Sequence, residues 1–321
     1  MAPPLTIRAE IAKDTINSSA AIVAKTNGAS LESVFVDAQL PQLPRLSSQG
    51  RTDPSSSFPI PSSLHLISPP LRDSVVFPAF PPTKVSVVNS DAFTVARGLI
   101  DSSFNTPSFV PTSLSSSPGE QAPFVRTAVL NLASDELPGG GWNCTLSCTQ
   151  EEALCYSSTL FNTLKPSYYP WPNIGRGSVA GVLSPAVVVF RADLDSGLVP
   201  LEQSDWKLVQ VLTVAGPCCP PLSEDRQKFA SDSVLEDLRG KIKLIYRMAA
   251  WSGCWDLVLG ALGCGAYRCP PRLVAEEMKA ILLEPEFRGW FRHIVFAVYS
   301  SNRNGPGNFG VFKDALDGID V

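Results

Sequence analysis

The sequence predicts an α/β fold in which a mixed sheet is flanked by helices on both faces and preceded by a helical extension. The chain has 321 residues and 44% of them are apolar, which is enough to bury a sizeable core. From Val85 onwards, short apolar runs alternate with stretches of helical periodicity, a pattern typical of sheets covered by helices. Glycine-rich segments follow two of these apolar runs, as expected where loops leave a sheet.

The amino-terminal part predicts one helical region and a long irregular segment. Isoleucines recur at helical spacing among charged residues over 6–23, which favours an amphipathic helix. Pro41 to Pro82 then holds ten prolines and nine serines, a composition that resists helix and central strand. We expect a surface excursion there, which is either a passive insertion or a segment that folds over the functional site.

Beyond Val85 the elements are recognised from apolar runs, caps and breakers. Asn89, Ser90 and Asp91, for example, offer caps for the helix that follows the first strand. Predicted strands cover 85–88, 126–132, 187–191, 208–214, 255–259 and 293–299; predicted helices cover 92–100, 149–164, 223–251, 270–283 and 308–316. Residues 102–120 form a Ser/Pro-rich loop. The extension and insertion are therefore assigned to residues 1–83, and the main domain to residues 84–321.

Composition limits the possible partners and compartments. The net charge is -4 and charged residues make up 17%, so we expect no direct DNA binding, which usually needs a basic surface. The amino terminus lacks a basic start followed by an apolar region, so no secretory signal is expected, and the eight cysteines suit a reducing compartment. No apolar run approaches the roughly 20 residues of a membrane span. We expect a monomeric intracellular protein of the nucleus, the cytoplasm or both.

The segment Gly139–Glu152, which reads GGGWNCTLSCTQEE, is the most informative in the chain. Three consecutive glycines can reach backbone conformations that side chains forbid, so main-chain N–H groups can press against a ligand. The segment follows the buried run 126–132, and α/β folds bind ligands at the carboxyl ends of strands. Glu151 and Glu152 then begin a helix, where their carboxylates can face that ligand.

The same residues also permit a purely structural interpretation. Thr149 to Glu152 form a capping-box sequence, in which Thr149 caps the helix and Glu152 reaches back to it. The nearby glycines and the preceding buried strand favour the ligand-binding interpretation. The second glutamate favours it too, because a cap requires only one carboxylate.

A second glycine-rich segment, WDLVLGALGCGAY at 255–267, follows another predicted strand. Its glycines, Gly260, Gly263 and Gly265, have neither the spacing of the dinucleotide-binding fingerprint nor that of a Walker loop. A glycine-rich loop between strand and helix offers free N–H groups that suit a diphosphate. A tight turn with close helix–strand packing explains the same glycines equally well.

Three aromatic residues lie in or near these segments. Trp142 follows the first glycines, Tyr267 ends the second glycine-rich loop, and Tyr299 ends the last predicted strand. Each could stack on adenine or pack against ribose. The alternative for each is ordinary packing in the core or at its rim.

Metal and thiol chemistry have little support in the sequence. Cys144-x3-Cys148 with Cys218-Cys219 could imitate a zinc site, but no C-x2-C pair exists and the histidines are His65 and His293. His293 directly precedes an apolar run, which favours a structural role. We therefore predict no metal and no cofactor.

Several segments together resemble the microbial-type poly(ADP-ribose) glycohydrolases, which occur in bacteria and fungi. They are VLNLASDELPGGGWNCTLSCTQEEALCYSSTLF, SPAVVVFRAD at 184–193, VLTVAGP at 211–217, LVLGALGCGAY at 257–267, HIVFAVY near the carboxyl end and RAEIAKDT near the amino end. The specific part of the likeness is GGG-x8-QEE combined with LGALGCGAY. The resemblance covers most of the chain outside 41–82 and implies a macrodomain-like fold with extra helices.

The resemblance also implies roles for the residues of both motifs. Glu152 would be the catalytic acid/base, and Glu151 would bind and orient the terminal ribose. Gly139–Gly141 would wrap the ribose and diphosphate, and Gly263–Tyr267 would form the diphosphate loop. The substrate-binding set implied in this way is Asn131, Ala133, Ser134, Gly139, Gly140, Gly141, Trp142, Gln150, Gly263, Cys264, Gly265, Ala266, Tyr267 and Tyr299.

Some positions next to the motifs depart from the family's pattern. Cys148 and Thr149 precede QEE where small residues are common. Tyr156 stands where an arginine often follows the cysteine, and Tyr267 stands where many relatives carry phenylalanine. These departures concern rate and substrate preference more than fold.

The activity that the resemblance implies is metal-independent, mainly exo-acting hydrolysis of poly(ADP-ribose), which releases ADP-ribose. One alternative is a macrodomain reader that binds ADP-ribose without turnover, and another is a hydrolase of mono-ADP-ribosylated protein. The second glutamate of QEE favours an enzyme over a reader. The implied partners are poly(ADP-ribose), ADP-ribose and poly(ADP-ribosyl)ated proteins, in the response to DNA damage.

Overall fold

The structure, a computed structural model, describes residues 2–44, 57–64, 74–105, 125–300 and 307–321. The strands in these ranges are β1 (Val34–Val36), β2 (Ser57–Pro59), β3 (Ser74–Val76), β4 (Val85–Val88), β5 (Thr127–Leu132), β6 (Gly181–Val189), β7 (Lys207–Val214), β8 (Asp256–Leu259) and β9 (His293–Ala297). The α-helices are α1 (Leu5–Ala24), α2 (Ala92–Asn105), α3 (Trp142–Thr145), α4 (Gln150–Ser157), α5 (Asp232–Trp251), α6 (Pro271–Leu282) and α7 (Gly307–Leu316).

The main sheet has seven strands in the order β1-β6-β7-β5-β8-β9-β4. The five strands from β7 to β4 run parallel, whereas β6 is antiparallel to β7 and β1 is antiparallel to β6. The predicted mixed sheet is therefore confirmed. Because the parallel strands end at one edge, the loops after β5, β7 and β8 meet there.

Helices cover both faces of this sheet, as predicted. Successive residues of β5 point to opposite faces: Leu130 packs in the core with α5 and α6, and Val129 packs in the core with α2 and α4. Phe93 of α2 and Ile245 of α5 are both buried in these two cores. A strand that is apolar on both sides, such as β5, is the expected consequence of this double cover.

The helix predicted over 149–164 is wrong in its second half. α4 ends at Ser157 because the chain becomes extended at Ser158, which forms a β-bridge with Val189. A short 3₁₀ helix, Leu160–Thr163, follows. The pairing with the end of β6 therefore replaces a further turn of helix.

The helix predicted over 223–251 begins nine residues too early. Leu222 and Phe229 form a β-bridge that closes a tight loop, and the helix starts only after Ser231, whose hydroxyl accepts a bond from the Ser233 N–H. Strand β6 differs in the other direction, because it begins at Gly181 rather than at residue 187. The helix of 92–100 is confirmed and extends to Asn105, and Asp91 caps it through the Thr94 N–H.

The amino-terminal part contributes directly to the main sheet. α1 confirms the predicted first helix and packs on α4, and β1 pairs with β6 as an edge strand that the sequence analysis missed. The assignment of residues 1–83 and 84–321 to separate parts stays a prediction. Among the described helices, none is long and apolar enough to cross a membrane.

The prediction of a surface excursion over Pro41–Pro82 is wrong for the described portions of this segment. β2 and β3 form a small antiparallel sheet there, and Leu64, Val75 and Phe77 are buried in the main core. Phe77 also packs edge-on against Trp290, with ring centroids 5.1 Å apart. The remaining residues, 45–56 and 65–73, lie outside the described part of the chain, as does most of the loop predicted over 102–120.

Candidate active site

Gln150 fixes the start of α4 to the end of β5. Its Oε1 accepts a hydrogen bond from the Leu132 N–H at 2.9 Å, and its Nε2 donates to the Leu130 carbonyl at 2.7 Å. These two bonds give partners to backbone groups at the carboxyl end of β5. The two glutamates that follow are therefore held at the carboxyl end of β5.

Glu151 is buried and is bound through both carboxylate oxygens. Its Oε1 accepts from Asn131 Nδ2 at 3.0 Å and its Oε2 accepts from the Ser134 N–H at 2.8 Å. Burial raises the pKa of Glu151 to about 8, although these two hydrogen bonds oppose the shift, and the neighbouring charges of Glu152 and Asp135 raise it further. Glu151 therefore retains a proton near neutral pH.

Glu152 is bound differently and is not a helix cap. Its Oε2 accepts a short hydrogen bond from the Thr149 hydroxyl, and Thr149 makes no side-chain bond to the helix backbone. Both halves of the capping box are thus absent from these residues. Glu152 is only 6% exposed, yet it lines the cleft described below.

The middle one of three left-handed glycines faces this carboxylate pair. Gly139, Gly140 and Gly141 have φ values of +61°, +60° and +72°, a region that other residues rarely adopt. A Cβ on Gly140 would lie 3.0 Å from Glu152 Oε1 and 3.3 Å from Glu151 Oε2. Glycine is therefore required at 140 both by the backbone and by the approach of the two carboxyls.

The loop after β8 forms the opposite wall of the cleft. Gly263 lies against Gly216, which follows β7: a Cβ on Gly216 would lie 3.0 Å from the Gly263 Cα. Tyr267 closes the wall by donating its hydroxyl to Asp135 Oδ1 at 2.7 Å. The resulting cavity has a volume of about 390 Å³, which is within the usual range for a small-molecule site.

Most of the residues predicted from the sequence line this one cavity. They are Ala133, Ser134, Gly140, Gln150, Glu151, Glu152, Gly263, Gly265, Ala266 and Tyr267. The two motifs, which are more than 100 residues apart in the chain, therefore meet because β5 and β8 are neighbours in the sheet.

Other predicted residues support the cavity from behind. Asn131 is fully buried beneath Glu151, to which it donates. Gly139 is buried as well, and a Cβ there would come within 2.7 Å of Trp142. Trp142 itself lies in the core, edge-on to Tyr156 with ring centroids 4.7 Å apart. Of the two interpretations given for Trp142, core packing is therefore the one that the structure supports.

The last three predicted residues also lie outside the lining. Gly141 follows the turn, with Leu137 beside it, and Cys264 is buried with its thiol directed at the Leu262 carbonyl, 3.5 Å away. Tyr299 is 58% exposed and donates its hydroxyl to Asp195 at 2.8 Å. Stacking of Tyr299 on a ligand stays a prediction.

Several residues of the site were not predicted from the sequence. The additional lining residues are Leu132, Ser147, Thr149, Gly216 and Ala261. Asp135 is buried behind the cleft, where it accepts from Tyr267 and from Asn173 Nδ2, the latter at 2.8 Å. A signal existed for Gly216, which lies in VLTVAGP, but Asn173 and Asp135 are joined only by tertiary contacts.

The thiols give no sign of a metal centre in the described part of the chain. No group of three or more His, Cys, Asp or Glu side chains there could hold a metal ion. Cys144, Cys148, Cys218 and Cys219 are free and exposed. His65 lies outside the described residues, and His293 binds Asp256 at the far end of the sheet.

The fold and the cleft together define a macrodomain-like protein with a carboxylate pair in its ligand cleft. The family model for the microbial-type PARG catalytic domain matches residues 76–192. None of the curated proteins searched matches the chain significantly.

Solved structures extend this likeness over most of the chain. The poly(ADP-ribose) glycohydrolase (PARG) of Deinococcus radiodurans, solved in complex with ADP-ribose, is 30% identical, with 73% of this chain and 84% of that chain covered and a TM-score of 0.55. The PARG of Thermomonospora curvata is 25% identical, with 97% and 99% covered and a TM-score of 0.62. The same enzyme bound to the inhibitor ADP-HPD has a TM-score of 0.61 at 25% identity, with 96% and 99% covered. The chain belongs to the microbial-type PARG family, and the predicted macrodomain-like fold is confirmed.

Proposed function

We propose that this protein is a poly(ADP-ribose) glycohydrolase that hydrolyses ribose–ribose O-glycosidic bonds, mainly from chain ends, and releases ADP-ribose. The observation that carries the proposal is the buried pair Glu151 and Glu152, held against Gly140 in a cleft. Paired carboxyls are the usual groups for cleaving glycosidic bonds. The solved relatives are poly(ADP-ribose) glycohydrolases and include complexes with ADP-ribose, which supports the same substrate here.

Glu152 is assigned as the general acid/base. Its Oε1 faces Gly140 and the cleft, whereas its Oε2 binds Thr149. A protonated carboxyl donates to the departing 2′-oxygen of the next unit while positive charge develops at the anomeric carbon. The carboxylate then accepts a proton from the water that attacks this carbon, which restores the acid.

Glu151 is assigned to binding and orienting the terminal ribose. Both of its oxygens are held by neutral donors, Asn131 and the Ser134 N–H, so the side chain is fixed. Burial raises its pKa to about 8, so Glu151 keeps a proton near neutral pH.

The rest of the cleft suits the remainder of an ADP-ribose unit. The Gly263–Tyr267 loop offers backbone N–H groups near a diphosphate, and the cavity of about 390 Å³ has room for part of such a ligand. Acid/base chemistry by two carboxyls needs no Lewis acid, so we propose a metal-independent reaction. Poly(ADP-ribosyl)ated proteins are the proposed partners.

The test is release of ADP-ribose from automodified polymer by the wild type and by Glu152→Gln. We expect the substitution to lower kcat by about 10³-fold and to preserve ADP-ribose binding. Glu136→Gln is the matched control, because Glu136 is exposed on the neighbouring loop and does not line the cavity. A wild type that binds ADP-ribose but releases none would instead indicate a reader. Release from mono-ADP-ribosylated protein alone would indicate the other alternative.

We also propose that the protein acts as an intracellular monomer, in the nucleus, the cytoplasm or both, during the response to DNA damage. The support is the expected substrate, since polymer-modified proteins are intracellular targets, together with a composition that suits a reducing compartment. Light scattering of the purified protein and fractionation of its source cells test these two points. A stable oligomer or a secreted form would contradict them.

A further inference from the structure

A second cavity adjoins the cleft on the far side of the Gly263–Tyr267 loop. Its volume is about 330 Å³. The residues that line it are Cys219, Pro220, Leu222, Ser223, Arg226 and Arg268. These described residues include no carboxylate and no aromatic ring, so they offer positive charge without a surface for stacking a base.

The two arginines of this cavity are not used by the fold. Neither Arg226 nor Arg268 makes a side-chain hydrogen bond, ion pair or ring contact with any residue in the described part of the chain, and both are exposed. Other arginines behave differently: Arg239, Arg247 and Arg292 each bind a carboxylate. Two unpaired guanidinium groups in one cavity are therefore available to an anion.

The backbone holds both arginines in place. The Arg226 N–H donates to the Ser223 carbonyl at 2.8 Å, within the loop closed by the bridge between Leu222 and Phe229. The Arg268 N–H donates to the Gly265 carbonyl at 3.0 Å. Side chains that start from a fixed backbone lose less freedom when they bind a ligand.

The carboxylate next to Arg226 leaves this charge available. Asp225 precedes Arg226, but its carboxylate accepts from the Ser223 hydroxyl at 2.7 Å and from the Gln227 N–H at 3.0 Å. These bonds hold the pKa of Asp225 below its usual value. The carboxylate thus stabilises its own turn and does not pair with Arg226.

The cavity and the cleft share one wall. Tyr267 lines the cleft and the next residue, Arg268, lines the second cavity. Cys219 joins the two, because its N–H donates to the Tyr267 carbonyl at 2.8 Å. The two arginines therefore lie directly beyond the loop that forms this wall of the cleft.

We propose that Arg226 and Arg268 bind a diphosphate of poly(ADP-ribose) in the unit next to the one held in the cleft. Guanidinium groups bind phosphate oxygens through paired N–H donors, and the polymer carries one diphosphate in every unit. The inference rests on the proposed function, since it requires the cleft to hold one unit of the polymer. Binding of this second diphosphate makes the protein selective for a substrate of at least two units over free ADP-ribose.

The test compares the affinities of ADP-ribose and of a purified short ADP-ribose oligomer, measured in the Glu152→Gln background so that the oligomer stays intact. We expect Arg226→Gln/Arg268→Gln to weaken oligomer binding about tenfold or more and to change ADP-ribose binding by less than about twofold. Arg226→Lys/Arg268→Lys keeps both charges and should recover part of the oligomer affinity. The salt dependence of oligomer binding should also decrease in the glutamine variant.

Arg288→Ala is the matched control, because Arg288 is exposed in the turn before β9, at the opposite end of the sheet. Equal loss of affinity for both ligands, no loss for either, or the same loss from Arg288→Ala overturns the proposal. ADP-ribose release by the wild type is assayed separately. Its absence contradicts the proposed function, whereas the comparison of the two affinities still decides whether the arginines bind a second diphosphate.

Discussion

Glu151 and Asp256 are buried acids at opposite ends of the sheet, and their surroundings differ in one respect. Asp256, at the start of β8, binds Arg292 through Nε at 3.0 Å and Nη2 at 2.7 Å, and His293 Nδ1 at 2.8 Å. Among the described residues, Glu151 accepts hydrogen bonds only from neutral donors, the Asn131 amide and the Ser134 N–H. Burial opposes ionisation in both, but hydrogen bonds from His293 and from the Arg292 guanidinium hold the pKa of Asp256 below its usual value, whereas the pKa of Glu151 rises to about 8.

This difference separates an acid that stabilises the fold from one that serves chemistry. A carboxylate with a bound guanidinium has a fixed charge and cannot exchange protons near neutral pH. A carboxyl with neutral partners is not part of an ion pair, and Glu151 lies in the cleft, where it can bind the ribose. The protein places the first at the amino end of its parallel strands and the second at the carboxyl end, where ligands bind.

The largest expected effect is on activity. Glu151→Gln should lower kcat/KM for polymer hydrolysis by about 10³-fold, because it removes the fixed carboxyl that orients the ribose. Asp256→Asn should change kcat/KM by less than about threefold, because Asp256 lies away from the cleft. ADP-ribose release is measured at a temperature at which both variants are folded. Comparable losses in both would show that the two acids do not divide their roles in this way.

The next effect is on the pH dependence of stability. An unfolded glutamate titrates near 4.5 and folded Glu151 near 8, so the folded state holds the extra proton between these values. The free energy of unfolding should therefore fall as pH rises from about 4.5 to 8, by about 3 to 5 kcal/mol. Glu151→Gln should remove most of this slope. Urea unfolding at several pH values measures it, and an unchanged slope would assign the effect to other groups.

Asp256→Asn tests the structural side of the comparison. The substitution leaves Arg292 without its carboxylate, and breaking a buried pair costs about 3 kcal/mol. Since the pKa of Asp256 is lowered, its contribution is present at neutral pH and is lost as pH falls below about 3.8. Urea unfolding at pH 7 checks the size of the effect. A loss below about 0.5 kcal/mol would place this pair among weak surface interactions.

The smallest expected effect concerns Asp135, a buried acid that accepts hydrogen bonds from Tyr267 and Asn173. Tyr267→Phe removes the hydroxyl that donates to Asp135, while Asn173 remains as a partner. We expect KM to rise about threefold with little change in kcat, because the Gly263–Tyr267 loop loses one hydrogen bond but the contacts of Glu152 do not change. Steady-state kinetics on polymer separates the two constants. A large fall in kcat would mean that this contact aligns the carboxylate pair.

The local parts of the site were predictable from sequence. Three adjacent glycines require a special backbone, and Gly140 has it, with φ +60°. Gln150 and the glutamates mark a helix start after a buried strand, and α4 begins at Gln150. Prediction was poorer where a helix end depends on a distant partner, as at Ser158, which pairs with Val189. Helical periodicity contains no information about such a bridge.

The sequence by itself determined the fold class, the family and the two motifs, because apolar periodicity, glycine runs and adjacent carboxylates act over short distances along the chain. Only the tertiary structure decided which residues surround them. It buried Trp142 in the core, brought Asp135 to the Tyr267 hydroxyl, and placed Arg226 and Arg268 in one cavity. Burial and charge pairing depend on contacts between distant segments, and these contacts set the pKa of Glu151 as well.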